Sequence, residues 1–313
     1  MANLGYIQLT RACNQLCRFC SNPPSGLEAT SNAVCALVDD FVERAYDGVI
    51  LTGGEPTLVP WLTDVVRHAS ARGLAVRIIT NGQLLAEGEL LGELVAAGLR
   101  HCHVSLYSHD PTVHDALTRN AGSHGRAVRA LERIGAEPGL TADVNCVINK
   151  YNAGALDELV RFVLQRFPRV RHLVFNNLDA RMNRVAENPD TVPKLTDFEL
   201  SLQRALRLAE ASGCSFRVER VPLCYMAEWA HCSTETRKIV KDEERIVHFL
   251  DQKGMVRQQK SAFVHGKADV CRVCRLDAIC AGLDGLGEFR DDSELYPVFL
   301  DPAPIADRVR REG

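Results

Sequence analysis

Two short runs of cysteine carry the chemistry that this sequence offers. CNQLCRFC places Cys13, Cys17 and Cys20 within eight residues, and CRVCRLDAIC places Cys271, Cys274 and Cys280 near the other end of the chain. The rest of the twelve cysteines (Cys35, Cys102, Cys146, Cys214, Cys224 and Cys232) are scattered. Cys35, Cys102 and Cys146 fall in apolar helix or strand patterns and read as small buried hydrophobes. Three thiolates in one short loop can wrap a cubane iron–sulfur cluster and leave its fourth iron without a protein ligand. An open iron is a position that a small molecule can chelate. Zinc is the alternative, but it normally takes a fourth Cys or His close by, and no histidine occurs between Cys20 and His68.

Composition sets the conditions for that chemistry. With 313 residues and 46% hydrophobic content, the chain can fill one large domain or a domain plus a smaller module, which excludes disorder and collagen-like repeats. Lys and Arg number 37 against 40 Asp and Glu, a net charge of -3, so no basic surface marks nucleic acid or an anionic membrane as the partner. No apolar run approaches a membrane span, and MANLGYIQLTRAC lacks the order of a signal peptide. The expectation is a cytoplasmic protein. Disulfides are then the wrong explanation for the cysteines, and metal or cluster ligation the right one.

The elements that must position these residues alternate along the chain. Strands are expected at 5–10, 48–52, 74–80, 103–107, 141–148 and 171–175, and helices at 34–46, 61–72, 87–97, 123–134, 155–167 and 196–212. Six strands alternating with helices imply parallel pairing through right-handed crossovers, and so an α/β fold, a partial (β/α)6 TIM-like barrel. Residues 1–212 form this core. From 213 the rhythm stops: CSFRVERVPLC reads as a strand, TETRKIVKDEERI as a charged helix and HFLDQKGMVRQ as a hairpin turning near Lys253-Gly254. Residues 213–313 are therefore expected to be a second module docked on the core, ending in a loosely packed tail from Tyr296.

Other polar segments fall at the same end of the sheet, where α/β folds build sites from the loops after their strands. GGEP (Gly53, Gly54, Glu55, Pro56) follows the second strand and TNG (Thr80–Gly82) the third. Ser105 lies in the fourth with Tyr107 at its exit, and Asn145 in the fifth. Glycines let a ligand approach the backbone, and the carboxylate of Glu55 can accept hydrogen bonds from an ammonium group. Alone, GGEP would be only a turn; its place beside the first cysteine loop makes a site credible.

At this point the sequence resembles the radical S-adenosylmethionine (SAM) superfamily. Cys13, Cys17 and Cys20 match its three-cysteine motif, with Phe19 at the aromatic position before the last cysteine, and GGEP matches its methionine-amine motif. The stretch 104–131 is similar to the peptide-modifying and molybdopterin-precursor branches. The resemblance implies that a [4Fe-4S] cluster binds SAM, that one electron cleaves a carbon–sulfur bond, and that the resulting 5′-deoxyadenosyl radical abstracts a substrate hydrogen. It further implies that Gly53, Gly54, Glu55 and Pro56 hold the SAM ammonium, directly or by bracing the loop, that Phe19 contacts the adenine, that Ser105 and Arg119 bind the carboxylate and that Asn145 lies near the ribose. An external electron donor such as flavodoxin or ferredoxin is implied as well.

CRVCRLDAIC resembles the cysteine segment of the SPASM module of peptide-maturing enzymes. Asp284 and Gln259 stand where two further cysteines would fall, so the shortened "twitch" form, with one auxiliary iron–sulfur cluster on Cys271, Cys274, Cys280 and Cys224, is the nearer match. Cys232 is the other candidate for fourth ligand, an open iron is a third possibility, and a structural zinc site is the alternative. Three functions follow: a maturase that oxidises or cross-links a ribosomal peptide, a radical oxidoreductase acting on a small molecule such as an aminocyclitol or cofactor precursor, or a noncatalytic electron carrier. His101 and His103 share one strand face and form a candidate metal pair or a pair of core or rim residues. Arg181–Arg184 is either a solvated cluster or an anion contact, and Tyr107 and Tyr225 are relay or packing aromatics.

Overall fold

The computed structural model describes residues 3–181, 183–243, 245–251, 256–258 and 264–312. Lys253, Gly254 and Gln259, which figured in the expectations above, lie outside the described residues. Strands β1 (Leu4–Gln8), β2 (Gly48–Thr52), β3 (Ala75–Thr80), β4 (Leu99–Ser105), β5 (Thr141–Ile148), β6 (His172–Asn177) and β7 (Ser215–Glu219) pair in sequence order, all parallel. On the other side of β1 the sheet continues with β8 (Arg245–His248), also parallel, and then β9 (Val256–Gln258), antiparallel. The result is an α/β partial barrel of eight parallel strands, so the sheet runs beyond the six strands expected.

Parallel neighbours need a crossover, and helices supply it: α1 (Ser31–Glu43), α2 (Leu62–Ala71), α3 (Leu90–Ala97), α4 (Pro111–Thr118), α5 (Ser123–Ala136), α6 (Leu156–Arg166), α7 (Asn183–Glu187) and α8 (Leu195–Ala211). Beyond β7 come α9 (Thr234–Lys241) and α10 (Pro302–Arg311). Several starts are written in the sequence. Thr30 caps α1 by accepting from Ala33 N, and Asp110, followed by Pro111, caps α4 by accepting from Thr112 N. The short α4 escaped the periodicity reading because eight residues give barely two turns.

Period-two alternation sorts each strand between two environments. Ile78, Cys102, Val104, Val144, Cys146, Phe175 and Val218 point to the helices and are fully buried. Each large apolar side chain in this layer stabilises the fold by about 1.5–3 kcal/mol. The opposite face carries Arg77, His101, His103, Asp143, Asn145, His172, Asn176 and Arg217, which line a polar cavity of about 960 Å³ inside the half-barrel. That polar face explains why β4 begins at Leu99 rather than at His103 as expected. Its inward histidines break the apolar run without breaking the strand.

The tail also differs from expectation. It forms α10, whose Val309 is fully buried, and the Glu312 carbonyl after it accepts from Arg237 Nη2 at 2.5 Å. Arg237 is itself only 2% exposed and pairs with the Glu312 carboxylate at 3.4 Å. A guanidinium buried in α9 needs these acceptors, and the tail docks to supply them.

Candidate active site

The first cysteine loop leaves β1 at the edge where every parallel strand ends. Leu9 N bonds to Thr52 O at 2.9 Å and Arg11 N to Leu27 O at 2.9 Å, which fixes the loop's root. Its tip is strapped to α4, since Leu16 N reaches Thr118 O at 3.0 Å and Arg18 N reaches Leu117 O at 2.9 Å. Cys13, Cys17 and Cys20 are partly buried and near enough that each raises or feels another's charge. Burial pushes the Cys13 thiol up to about 11, helped by Glu55 and Cys20 and opposed by the Gln15 backbone N–H. The Cys17 and Cys20 thiols are raised by burial too, while the Arg184 guanidinium pulls both back. Thiolates are the ligating form, so a metal entering here must displace protons.

GGEP packs directly against this loop. Gly54 N donates to Thr10 O at 2.6 Å and Glu55 N to Ala12 O at 2.8 Å. A Cβ on Gly54 would run into the Ala12 carbonyl, and Gly53 holds φ at +144°, so both glycines serve chain-to-chain approach. Glu55 is completely buried. Its Oε1 accepts from Thr57 N (3.1 Å), Thr57 Oγ1 (2.6 Å) and Thr80 Oγ1 (2.7 Å), and its Oε2 accepts from Asn81 N at 2.7 Å. Burial raises the Glu55 carboxyl, and these bonds from Asn81, Thr57 and Thr80 oppose the rise. Of the two roles expected for Glu55, the observed bonds are those of a brace: one carboxylate ties GGEP to TNG, and Pro56 starts the short turn that Glu55 caps.

Asn81 completes the join. Its Nδ2 donates to Asn14 Oδ1 at 2.7 Å and lies 3.8 Å from Cys13 Sγ, while Gln83 N donates to its Oδ1 at 3.1 Å. Phe19 is buried edge-on against Tyr107, ring centroids 4.8 Å apart. Of the cysteines' neighbours, Arg11 was missed by sequence reasoning, whereas Asn81 lies in TNG and Arg184 in the Arg181–Arg184 cluster. Arg11 is buried and bonded to Asn22 and Asp251, and Arg184 Nη1 donates to Leu16 O at 3.0 Å.

Three residues expected to hold SAM have partners within the chain. Ser105 bonds to the Tyr107 phenol. Arg119 caps α4 in the left-handed conformation (φ +50°) and donates to Asn188 Oδ1 at 2.5 Å. Asn145 faces the barrel cavity and accepts from Asn176 Nδ2 at 2.5 Å.

A second group of thiols lies after β7. Cys224, Cys271, Cys274 and Cys280 line one small pocket with Leu223, Lys267 and Tyr296. Burial pushes Cys224 up to about 12, opposed by the Tyr296 backbone and reinforced by Cys280 and Cys271. Val298 N donates to Cys274 Sγ at 3.3 Å and Gly282 N to Cys280 Sγ at 3.4 Å, the bonds expected around thiolate sulfur. Cys232 lies elsewhere, among Arg217, Glu312 and Arg308. Asp284, at a position where a cysteine was conceivable, pairs with Arg181 at 3.2 Å. Cys102 and Cys146 are buried hydrophobes as expected, and Cys35 is half-buried against the core.

The family comparison agrees with this geometry. A family model of the radical SAM superfamily matches residues 7–163, half of the chain, and spans the cysteine loop, GGEP and TNG. Among curated proteins, the PqqA peptide cyclase of Rhodopseudomonas palustris is 30% identical over 162 residues, covering 50% of this chain and 42% of the relative. The mycofactocin maturase MftC of Mycobacterium ulcerans is 32% identical over 154 residues, covering 48% of this chain and 41% of the relative. The matched region is thus less than half the length of these relatives. Among solved structures, native anSMEcpe with bound AdoMet superposes with a TM-score of 0.65 at 13% identity, over 99% of this chain and 95% of that one. Streptococcus suis SuiB bound to S-adenosylmethionine gives 0.63 at 15% identity, over 95% and 74%. These two share the fold. Members of the superfamily use a [4Fe-4S] cluster and SAM, and three thiols gathered at the strand ends beside a braced GGE loop suit that use. On the extent of the family match, this chain belongs to the radical SAM superfamily.

Proposed function

We propose that this protein is a radical SAM maturase that oxidises or cross-links a peptide. The observation that carries the reading is the pairing of two thiol groups at one edge of a parallel sheet: Cys13, Cys17 and Cys20 after β1, and Cys224 with Cys271, Cys274 and Cys280 after β7. Relatives named for peptide cyclisation and maturation support a peptide as substrate.

In this reading the first thiols hold the [4Fe-4S] cluster, which with SAM supplies the 5′-deoxyadenosyl radical. The chain supplies position and exclusion of water. Glu55 holds GGEP and TNG in register so that the backbone around Gly53–Glu55 receives the SAM ammonium. Phe19 and Tyr107 form an apolar wall for the adenine, Ser105 and Arg119 take the carboxylate, and Asn145 serves the ribose. Cys224, Cys271, Cys274 and Cys280 would hold one auxiliary iron–sulfur cluster, which would supply one-electron redox chemistry for an oxidised product. Residues 213–313 are the module built around it, docked on the 1–212 core through β7 and β8. A flavodoxin or ferredoxin delivers the reducing electron.

The test is to incubate reduced, cluster-loaded protein with SAM and a deuterated candidate peptide, and to look for deuterium in 5′-deoxyadenosine. Label from peptide supports the reading. SAM cleavage with label arising only from an aminocyclitol or cofactor precursor refutes the peptide assignment.

A further inference from the structure

Away from the cysteines, in the N-terminal half of the barrel, the cavity wall holds a cluster for which the proposed reaction has no use. His101 and His103 lie on the inner face of β4, and Asp143 stands opposite His103 on β5. His101 Nε2 is 3.0 Å and His103 Nδ1 3.1 Å from the same carboxylate oxygen, Asp143 Oδ2, and one ligand atom from each of the three residues lies within 4.8 Å of the others.

His101 is held in place by Thr141 on the neighbouring strand. Thr141 Oγ1 lies 2.6 Å from His101 Nδ1 and 3.1 Å from Arg100 O, so this hydroxyl holds the ring on its Nδ1 side. With the proton on Nδ1, the neutral ring presents its Nε2 lone pair to a carboxylate oxygen. Two lone pairs at 3.0 Å repel unless a cation lies between them. His101 Nε2 is buried at 3.0 Å from Asp143 Oδ2 and has no partner in good hydrogen-bond geometry. Ligands that share a tetrahedral ion sit off each other's axes, about 3.3 Å apart. The hydroxyl lock on Nδ1 is the outer-shell bond that orients metal-binding imidazoles.

We propose that His101, His103 and Asp143 form a binding site for a divalent metal of the zinc class inside the barrel. Three protein ligands leave a coordination position facing the cavity, open to water or to a ligand entering it. Arg77 and Arg217 line the same cavity, so their charge disfavours a free cation and makes the Asp143 carboxylate indispensable.

The site is tested by metal content, without reference to SAM chemistry. Cluster-loaded wild type, His101→Ala/His103→Ala and Asp143→Asn are exposed to zinc chloride, dialysed, and assayed for zinc by mass spectrometry. Wild type should retain about one zinc per chain more than either variant. Equal zinc in all three overturns the site. Should the variants not fold, wild-type crystals grown with zinc and measured at the zinc absorption edge give an independent answer: an anomalous peak between the three side chains supports the site, and its absence shows a hydrogen-bonded triad only.

Discussion

Replacing Glu55 by alanine isolates what the GGEP loop does. The mutation removes an acceptor from two threonine hydroxyls and two backbone N–H groups, those of Thr57 and Asn81. The hydroxyls can rotate to other acceptors. The N–H groups cannot, and each buried donor left unpaired costs about 1–3 kcal/mol. Part of this is offset, because the buried carboxyl is itself held above its ordinary value by desolvation. The net expectation is a loss of about 2–4 kcal/mol in urea unfolding of the apo-protein. Glu55→Gln keeps the shape but turns an amide N–H₂ toward donors, and should lose about 1–2 kcal/mol. In cluster-loaded protein, Glu55→Ala should weaken SAM binding roughly ten-fold or more, a change of about 1.4 kcal/mol carried from the loop to the site. The cluster should survive. Both variants unfolding within about 0.5 kcal/mol of wild type, with SAM affinity and iron load unchanged, would show that GGEP is merely a turn.

The other predictions address the cysteine loop, the two thiol groups and a buried histidine. Gly54→Ala forces a Cβ against the Ala12 carbonyl, so iron loading at the first loop and 5′-deoxyadenosine formation should both fall sharply; normal values for both would mean that the two loops are free to part. Alanine at Cys13, Cys17 or Cys20 should abolish reductive SAM cleavage. Cys271→Ala/Cys274→Ala should lower iron from about eight to about four per chain, and leave SAM cleavage while product formation is lost; a wild-type count near four iron with one zinc would refute the auxiliary cluster. Buried His114 is held down to about 3 by burial and by His124. Because its folded value lies below its unfolded one, its contribution to stability is complete above about pH 6.5 and is lost as pH falls toward the folded value. His114→Phe should therefore remove about 1.4 kcal/mol per pH unit from the slope of stability below pH 6.5, read from urea midpoints across a pH series. An unchanged slope would place the proton elsewhere.

Local spacing alone determined a good deal here. The cysteine triplets, GGEP and TNG are contiguous in sequence, so their chemistry needs no knowledge of long-range contacts; strand β2 was legible as an apolar run, and β3 and β5 from apolar residues at alternate positions. The edges of that legibility have physical causes. β4 was cut short because a strand lining a polar cavity alternates histidine with apolar residues, and α10 was missed because its docking rests on Arg237, far away in sequence. Tertiary structure decided the rest. It gave Glu55 its four donors, two of them from residues more than twenty positions later. It also gathered Cys224 with Cys271, Cys274 and Cys280 while leaving Cys232 outside their pocket, and set Asp143 against two histidines of the neighbouring strand. Each of these depends on which strand lies beside which and in what register, and a single sequence states only the alternation within each strand.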